Sequence, residues 1–250
     1  SASSKSKSIK TVVVSPVPVT AISSASTPVS SSDPVASSAP AEKPIEAVNE
    51  ASSAAAVKGK ATFYGGNVSG GHCSFTGYTL PAGLFGTAFG GNWDASQCGS
   101  CVAVTGPNGN TIKAMVVDQC PECDVTHLDL FETGFEKIGS KSAGIIDISY
   151  TKVPCDISSP IILKNKEGTS QYFFSMQVVN SNVAVSKLEV STDGGSSWKA
   201  TTRQPYNFFE ISGGSGKDTV DVRVTSVGGN TVVVKGVSVA SGTTKTAGGN

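Results

Sequence analysis

All six cysteines of this 250-residue chain, at positions 73, 98, 101, 120, 123 and 155, lie in one window, and none occurs outside it. Cross-links confined to that window dictate where the chain must fold back on itself. Two chemistries compete for them. Cys98-x-x-Cys101 stands eighteen residues upstream of Cys120-x-x-Cys123, a spacing within the range of a four-cysteine zinc site. Zinc would leave Cys73 and Cys155 without a role. An even count favours disulfides in an oxidising compartment, and the flanking sequence agrees. Residues 1 to about 57 are rich in Ser, Ala, Val, Pro and Thr, a composition typical of O-glycosylated stalks on secreted proteins. Asn67-Val68-Ser69 is an N-glycosylation sequon. The expectation is a secreted, extracellular protein with six paired cysteines and no metal.

The tail itself has no aromatic residue, cysteine or glycine. It cannot bury enough apolar surface to offset the entropy of ordering, so residues 1–57 are expected to be disordered. The formal charge is zero and 15% of residues are charged, which leaves no basic field for nucleic acid or an anionic membrane. An uncharged polymer is the more natural partner. No stretch approaches the roughly 18 apolar residues of a membrane span, and no N-terminal signal pattern is visible.

From Lys60 the text changes to short β-type runs punctuated by Gly, Pro and Asn. "ATFY" at 61, "CVAVT" at 101, "TIKAMVV" at 111 and "IIDISYTKV" at 145 read as strands, with Gly106-Pro107-Asn108-Gly109 turning the middle pair. Phe131, Phe135 and Ile138 fall at helical spacing before Gly139, which predicts a helix over about 131–138. Beyond Cys155 come "YFFSMQVV", "VAVSKLEVS", "WKATT", "FFEI", "TVDVRVTS" and "TVVVKGVSV". Their alternation suits a two-sheet sandwich with one face in and one out. The chain therefore divides into a tail (1–57), a cysteine-bearing β domain (58–156), an all-β domain (157–242) joined across Pro154–Pro160, and a flexible end (243–250).

The stretch "VVDQCPECDVTHLDL", 116–130, carries cysteines, a histidine and acidic residues together. "GKATFY", "CGSCVAVTGPNGN", "VVDQCPEC", "HLDLFETGFEKIG" and "VPC", in that order and ahead of a β-sandwich, resemble the expansin-like proteins of microbial and fungal type. The resemblance covers about residues 60–242. It implies an all-β chain: a six-stranded double-psi β-barrel followed by an immunoglobulin-like carbohydrate-binding sandwich. By resemblance to plant members, Cys73 pairs with Cys98, Cys101 with Cys155, and Cys120 with Cys123; sequence alone leaves the pairing open.

In that family the Asp of "VVD" and the Asp of "HLD" project into an open groove, which carries over onto Asp118 and Asp129, with Thr62 and Tyr64 beside them. Small endoglucanases that share the barrel use the second position as general acid. An inverting hydrolase also needs an opposed carboxylate about 6.5–9.5 Å away to activate water. In those enzymes it follows a T-x-Y on the first strand. Here Thr62-Phe63-Tyr64 runs into Gly65-Gly66, so an acid stands without its base. Relatives of bacterial type place a Tyr where this chain has Cys120, and plant members favour H-F-D where this chain has His127-Leu128-Asp129.

Relatives also carry exposed aromatic residues on one sandwich face, which map onto Tyr172, Phe173 and Tyr206. Flat rings offer stacking area to pyranose faces at little conformational cost. Neighbours 172 and 173 point oppositely in a regular strand, so both are exposed only if the strand starts late or bulges, with Phe174 as the core residue. Trp93 either edges the groove or is buried under its loop. Asp94 is the one candidate for a migrated base, His127 a candidate to orient Asp129, and His72 a solvated loop residue. "STDGGSSW", 191–198, matches an S-x-D-x-G-x-x-W box and reads as a hairpin turn with Trp198 packed on its own strand.

The reading is a secreted, monomeric protein that needs no cofactor and binds cellulose, xyloglucan or a related wall glucan, loosening the wall without hydrolysis. A lytic transglycosylase or weak endoglucanase using a single Asp, acting on glucan or peptidoglycan, is the enzyme alternative. A glycan- or chitin-binding lectin is the other.

Overall fold

The structure, a computed structural model, describes residues 55–250. The Ser/Pro-rich tail, expected to be disordered and glycosylated, lies outside the described residues up to position 54.

Six strands close a barrel: β1 (Val57–Tyr64), β2 (Leu84–Phe89), β3 (Cys101–Thr105), β4 (Thr111–Gln119), β5 (Leu128–Phe131) and β6 (Ile146–Val153), in the order β1-β5-β2-β4-β3-β6. The pairs β1/β5 and β2/β4 are parallel, the rest antiparallel. Alternate residues fill the interior, among them Ala61, Val102, Val104, Ile112, Ala114, Val116, Leu128 and Leu130, as period-two geometry requires. Helix α1 (Glu132–Ile138) plugs the barrel with Phe135 and Ile138, both fully buried, and ends at Gly139. Gly106 to Asn110 turns β3 into β4.

Strands β2 and β5 are not among the strands read from the sequence. "LFGTAF" is short and contains Gly86, while "LDLF" lies inside the acidic motif. Their pairing is decided by the barrel, where β2 is hydrogen-bonded on both sides.

The second half holds β7 (Ile162–Asn165), β8 (Phe174–Val179), β9 (Val185–Ser191), β10 (Lys199–Ala200), β11 (Thr202–Arg203), β12 (Phe209–Ile211), β13 (Thr219–Ser226), β14 (Thr231–Ser238) and β15 (Thr244–Thr246). They form a four-stranded sheet, β10-β9-β13-β14, and a five-stranded sheet, β11-β12-β8-β7-β15. Between the sheets lie Leu163, Phe174, Met176, Leu188, Phe209, Val222 and Val237. The end expected to be flexible, 243–250, is instead held down. β15 pairs antiparallel with β7, Ala247 N and Gly249 O bond Ile161, and the Asn250 amide donates to Ser159 O and Asn180 O at 2.7 Å. The unpaired edge of β7 supplies these partners, a tertiary fact that the polar, Gly-rich text does not display.

The sulfurs pair as Cys73–Cys98, Cys101–Cys155 and Cys120–Cys123, and no cysteine is free. Barrel and sandwich belong to one compact unit, Ala51–Asn250. The barrel loop after Cys73 is the contact: Cys73 O accepts from Gln177 Nε2 (2.9 Å) and Asn207 Nδ2 (3.2 Å). Asn180, at φ 65°, ties three segments together. Its Oδ1 accepts from Tyr78 OH (3.0 Å), and its Nδ2 donates to Ser159 Oγ (2.7 Å) and Pro160 O (2.9 Å).

Candidate functional site

Strand parity builds the groove on the outside of the barrel. In β1, Ala61 is buried in the barrel core, so Thr62 and Tyr64 face out; in β5, Leu128 and Leu130 are buried there, so Asp129 and Phe131 face out. Phe85 and Phe89 of β2 pack on the interior, leaving Gly86 and Ala88 outward. Both are buried: the Phe131 ring covers Gly86, where a Cβ would lie 2.4 Å from Phe131 Cε2, and Ala88 is 2% exposed between its register partners Asp118 and Asp129. The sequence reading missed these two small residues, although their alternate positions in "LFGTAF" were a legible signal.

Asp118 reaches the same face through an irregularity. Ile112, Ala114 and Val116 point into the barrel, and by period two Asp118 would follow them inward. The β2/β4 register shifts between Thr87 and Ala88, so Thr87 pairs with Val116 but Ala88 pairs with Asp118. Val117 is the extra residue of a bulge, which re-aims the next side chain. Asp118 Oδ1 accepts from the backbone N–H groups of His72 (2.6 Å) and Gln119 (2.8 Å), and Tyr64 OH makes a long contact of 3.3 Å to Oδ2. Gly71 makes the loop's approach possible, because a Cβ there would lie 2.3 Å from Val117 O.

Asp129 stands in register with Thr62 across the parallel β1/β5 pair. Thr62 Oγ1 donates to Asp129 Oδ1 (2.5 Å) and lies 2.9 Å from His127 Nε2. Partial burial raises the Asp129 carboxyl above its ordinary value, while the Thr62 hydrogen bond and the nearby His127 pull it back. Burial, then the charge of Asp118, raise the Tyr64 phenol well above the ordinary tyrosine value. The Tyr64 ring meets Phe131 edge-on at 5.6 Å.

The four groove residues, Thr62, Tyr64, Asp118 and Asp129, are therefore brought onto one face. Others are not. Asp94 caps the 3-10 turn Ala95–Gln97, accepting from Ser96 N at 2.6 Å, and its hydrogen bonds with Ser96 hold its carboxyl below the ordinary value. Trp93 is partly buried against barrel-side clusters and meets the His72 ring edge-on at 5.6 Å. His72 serves through its backbone N–H, its side chain being exposed. Asp193 is bound by Ser191 and Ser197 within its own turn, and Trp198 lies under the Arg223 guanidinium at 4.5 Å.

On the sandwich, β8 starts late, at Phe174, which is fully buried. Ser170–Phe173 forms a turn before it, so Tyr172 projects freely at 75% exposure while Phe173 is half-buried. Phe173 shares its parity with Ser175 and Gln177, the outer face of the five-stranded sheet. Tyr206 lies over that face, its OH bonded to Glu210 Oε1 at 2.9 Å, with the Lys166 ammonium 5.6 Å from its ring centre. Gln177, four residues along β8 from Phe173, donates to the barrel's Cys73 O. At about 3.3 Å per residue, the aromatic end of this face begins roughly 13 Å from the barrel contact.

Fold and site together define a class: a double-psi barrel with a carboxylate-bearing open face, docked on a sandwich that carries exposed aromatic residues. No family model matches the chain. Expansin-like protein 5 of Dictyostelium discoideum is 31% identical over 191 residues, 72% of this chain and 79% of that protein. Expansin-YoaJ of Bacillus subtilis is 33% identical over 181 residues, 70% of this chain and 75% of that protein. Expansin-like protein 1 of D. discoideum is 29% identical over 189 residues, which span 66% of its length. A crystal structure of a Clavibacter michiganensis expansin mutant in complex with cellohexaose matches with a TM-score of 0.69 at 32% identity, covering 78% of this chain and 96% of that one. The apo form gives the same values. The chain belongs to the expansin family.

Proposed function

We propose that the protein is secreted, binds cellulose and related wall glucans across the groove and the aromatic sandwich face, and loosens their packing without hydrolysis. The observation that carries this reading is at Gly66. Neither Gly65 nor Gly66, which follow Tyr64 where the related hydrolases place their base, carries a carboxylate, and at Gly66 the aromatic rings already fill the space: a Cβ would lie 2.2 Å from Tyr64 Cζ and 2.6 Å from Phe131 Cε1. Asp118 does not substitute, because it shares the face of Asp129 and its Oδ1 is held by two backbone N–H groups. A carboxyl at Asp129 can accept or donate a hydrogen bond to a sugar but has no opposed partner to activate water. Supporting the ligand class, the Clavibacter expansin, similar over 78% of this chain, was crystallised with cellohexaose.

A second reading draws on the raised Asp129 carboxyl, a property suited to a general acid. It is a lytic cleavage that uses one acid and no water. One experiment separates the two. The protein is incubated with cellulose, xyloglucan, chitin and peptidoglycan, and pelleting, filter-paper weakening, reducing ends and anhydro-sugars are measured. Binding with weakening and no soluble sugar is expected. Anhydro-sugar release lost in Asp129→Asn would establish the lytic reading, and binding to none of the four would overturn the proposal.

A further inference from the structure

The groove carboxylate is not held by Thr62 alone. Thr62 Oγ1 touches Asp129 Oδ1 at 2.5 Å and His127 Nε2 at 2.9 Å, and a threonine hydroxyl has a single hydrogen. An ionised carboxylate only accepts, so that hydrogen goes to Asp129. The oxygen must then accept from His127, whose Nε2 carries a proton. We propose that His127 is a positioning residue for the groove: its Nε2–H donates to Thr62 Oγ1, which fixes the Thr62 hydroxyl hydrogen on Asp129 Oδ1 and leaves Asp129 Oδ2 to the glucan.

The backbone brings the three groups together. Asp129 and Thr62 are register partners across β1/β5, and His127, two residues before Asp129, precedes β5 on the same side. Its position is set by backbone bonds at both ends, His127 N to Asp124 O (3.0 Å) and Gly90 N to His127 O (3.1 Å). Among the described residues no hydrogen bond reaches Asp129 Oδ2. Without the histidine, the Thr62 hydroxyl is free to rotate toward solvent or toward a bound sugar and to release Asp129. The network therefore separates the two carboxylate oxygens, one committed to the protein and one presented to ligand.

The charged groups around the relay come from every neighbouring element. Lys58 and Lys60 lie on β1, Asp124 on the loop before β5 and Asp147 on β6; with Thr126 and His127 they line an open basin of about 310 Å³. Lys60 is paired with Asp147 at 2.8 Å. Glu122 and Asp118 act on Asp129 from farther away. The lysines and the basin's acids balance in number. The donor directions along the chain are thus set by the relay's own bonds. Both the neutral Nε2–H ring and the imidazolium donate to Thr62, and only the Nδ1–H tautomer breaks the chain.

The inference extends the proposed glucan-binding role, yet its test needs no glucan, so the two can fail separately. On the full chain, ¹⁵N chemical shifts of the neutral His127 ring report the tautomer, and Nε2–H is expected. A predominant Nδ1–H ring would overturn the proposal on the wild type alone, whatever the variants do. Next, the ¹³C carboxyl titration of Asp129 is followed in His127→Gln, His127→Leu and Thr62→Val, with amide spectra as the fold control. The Asp129 midpoint should rise in His127→Leu and Thr62→Val, which lose the ordered donor. In His127→Gln, whose amide replaces the Nε2 donor, the displacement seen in His127→Leu should be largely reversed. Identical Asp129 midpoints in wild type and His127→Leu would refute the relay.

Discussion

Asp118 and Asp129 are both registered on Ala88, one from each side of β2. Two strand spacings of about 4.8 Å separate their backbones by roughly 10 Å. That separation alone would suit an inverting pair. Both side chains, however, rise from the same outer face of the sheet, on either side of Ala88.

Burial raises the Asp129 carboxyl in the folded chain, so the native state keeps this proton to higher pH than the unfolded state does. The stability cost is absent below the unfolded carboxylate range and complete above the folded value. Asp129→Asn should therefore stabilise the protein at neutral pH. The gain should stay below about 1 kcal/mol, because the group is half-exposed and screened, and it should vanish in strong acid. Denaturant unfolding of both forms at the two pH values checks the sign. The same variant should lose wall weakening while still pelleting with cellulose.

Tyr172 projects freely and Tyr206 lies over the outer sheet face. If each ring supplies about 0.5–1.5 kcal/mol of stacking, the double variant Tyr172→Ala with Tyr206→Ala should weaken cellulose binding at least about fivefold. Asp129→Asn should change it much less. Depletion isotherms on crystalline cellulose measure both, and an unaltered isotherm for a folded double variant would move the platform elsewhere.

At Gly71 an added methyl meets Val117 O at 2.3 Å and the Asp118 Cβ at 3.3 Å. Neither backbone can yield without opening the bulge. Gly71→Ala should cost about 1–3 kcal/mol and release the His72 N–H from Asp118. Amide exchange at His72 should accelerate, while sandwich amides stay protected.

Asn180 is the hinge pin between the halves. Asn180→Ala removes partners from Tyr78 OH, Ser159 and Pro160 and leaves a non-glycine residue at φ 65° without its polar support. Burial alone raises the Tyr78 phenol to about 12, so its proton needs an acceptor. A loss of about 1–3 kcal/mol is expected. Spectrophotometric titration should show Tyr78 ionising at a lower pH once the junction loosens and water reaches it.

The six cysteines should be metal-free. Mass spectrometry under non-reducing conditions should find three bridges and no bound zinc. Free thiols with stoichiometric zinc would restore the other reading of the Cys-x-x-Cys pairs.

The text of the chain reveals period-two runs in β3, β4 and β6, the helix before Gly139 and the sandwich strands, because in each the apolar period repeats long enough to exceed noise. It also reveals that Gly65 and Gly66, which follow Tyr64, carry no side chain to ionise. What it withholds depends on neighbours far along the chain. β2 and β15 are strands because other strands offer them unpaired N–H and C=O groups, not because their own residues insist. Asp118 faces the groove only because Val117 bulges against β2, which reverses the face that simple alternation assigns. Tyr172 and Phe173 escape the strand because a turn at Ser170 delays its start. Sequence determines which side chains exist and their local period; pairing partners, register and bulges decide the face on which each one meets the solvent, since those are set by backbone hydrogen bonds between segments that the sequence keeps apart.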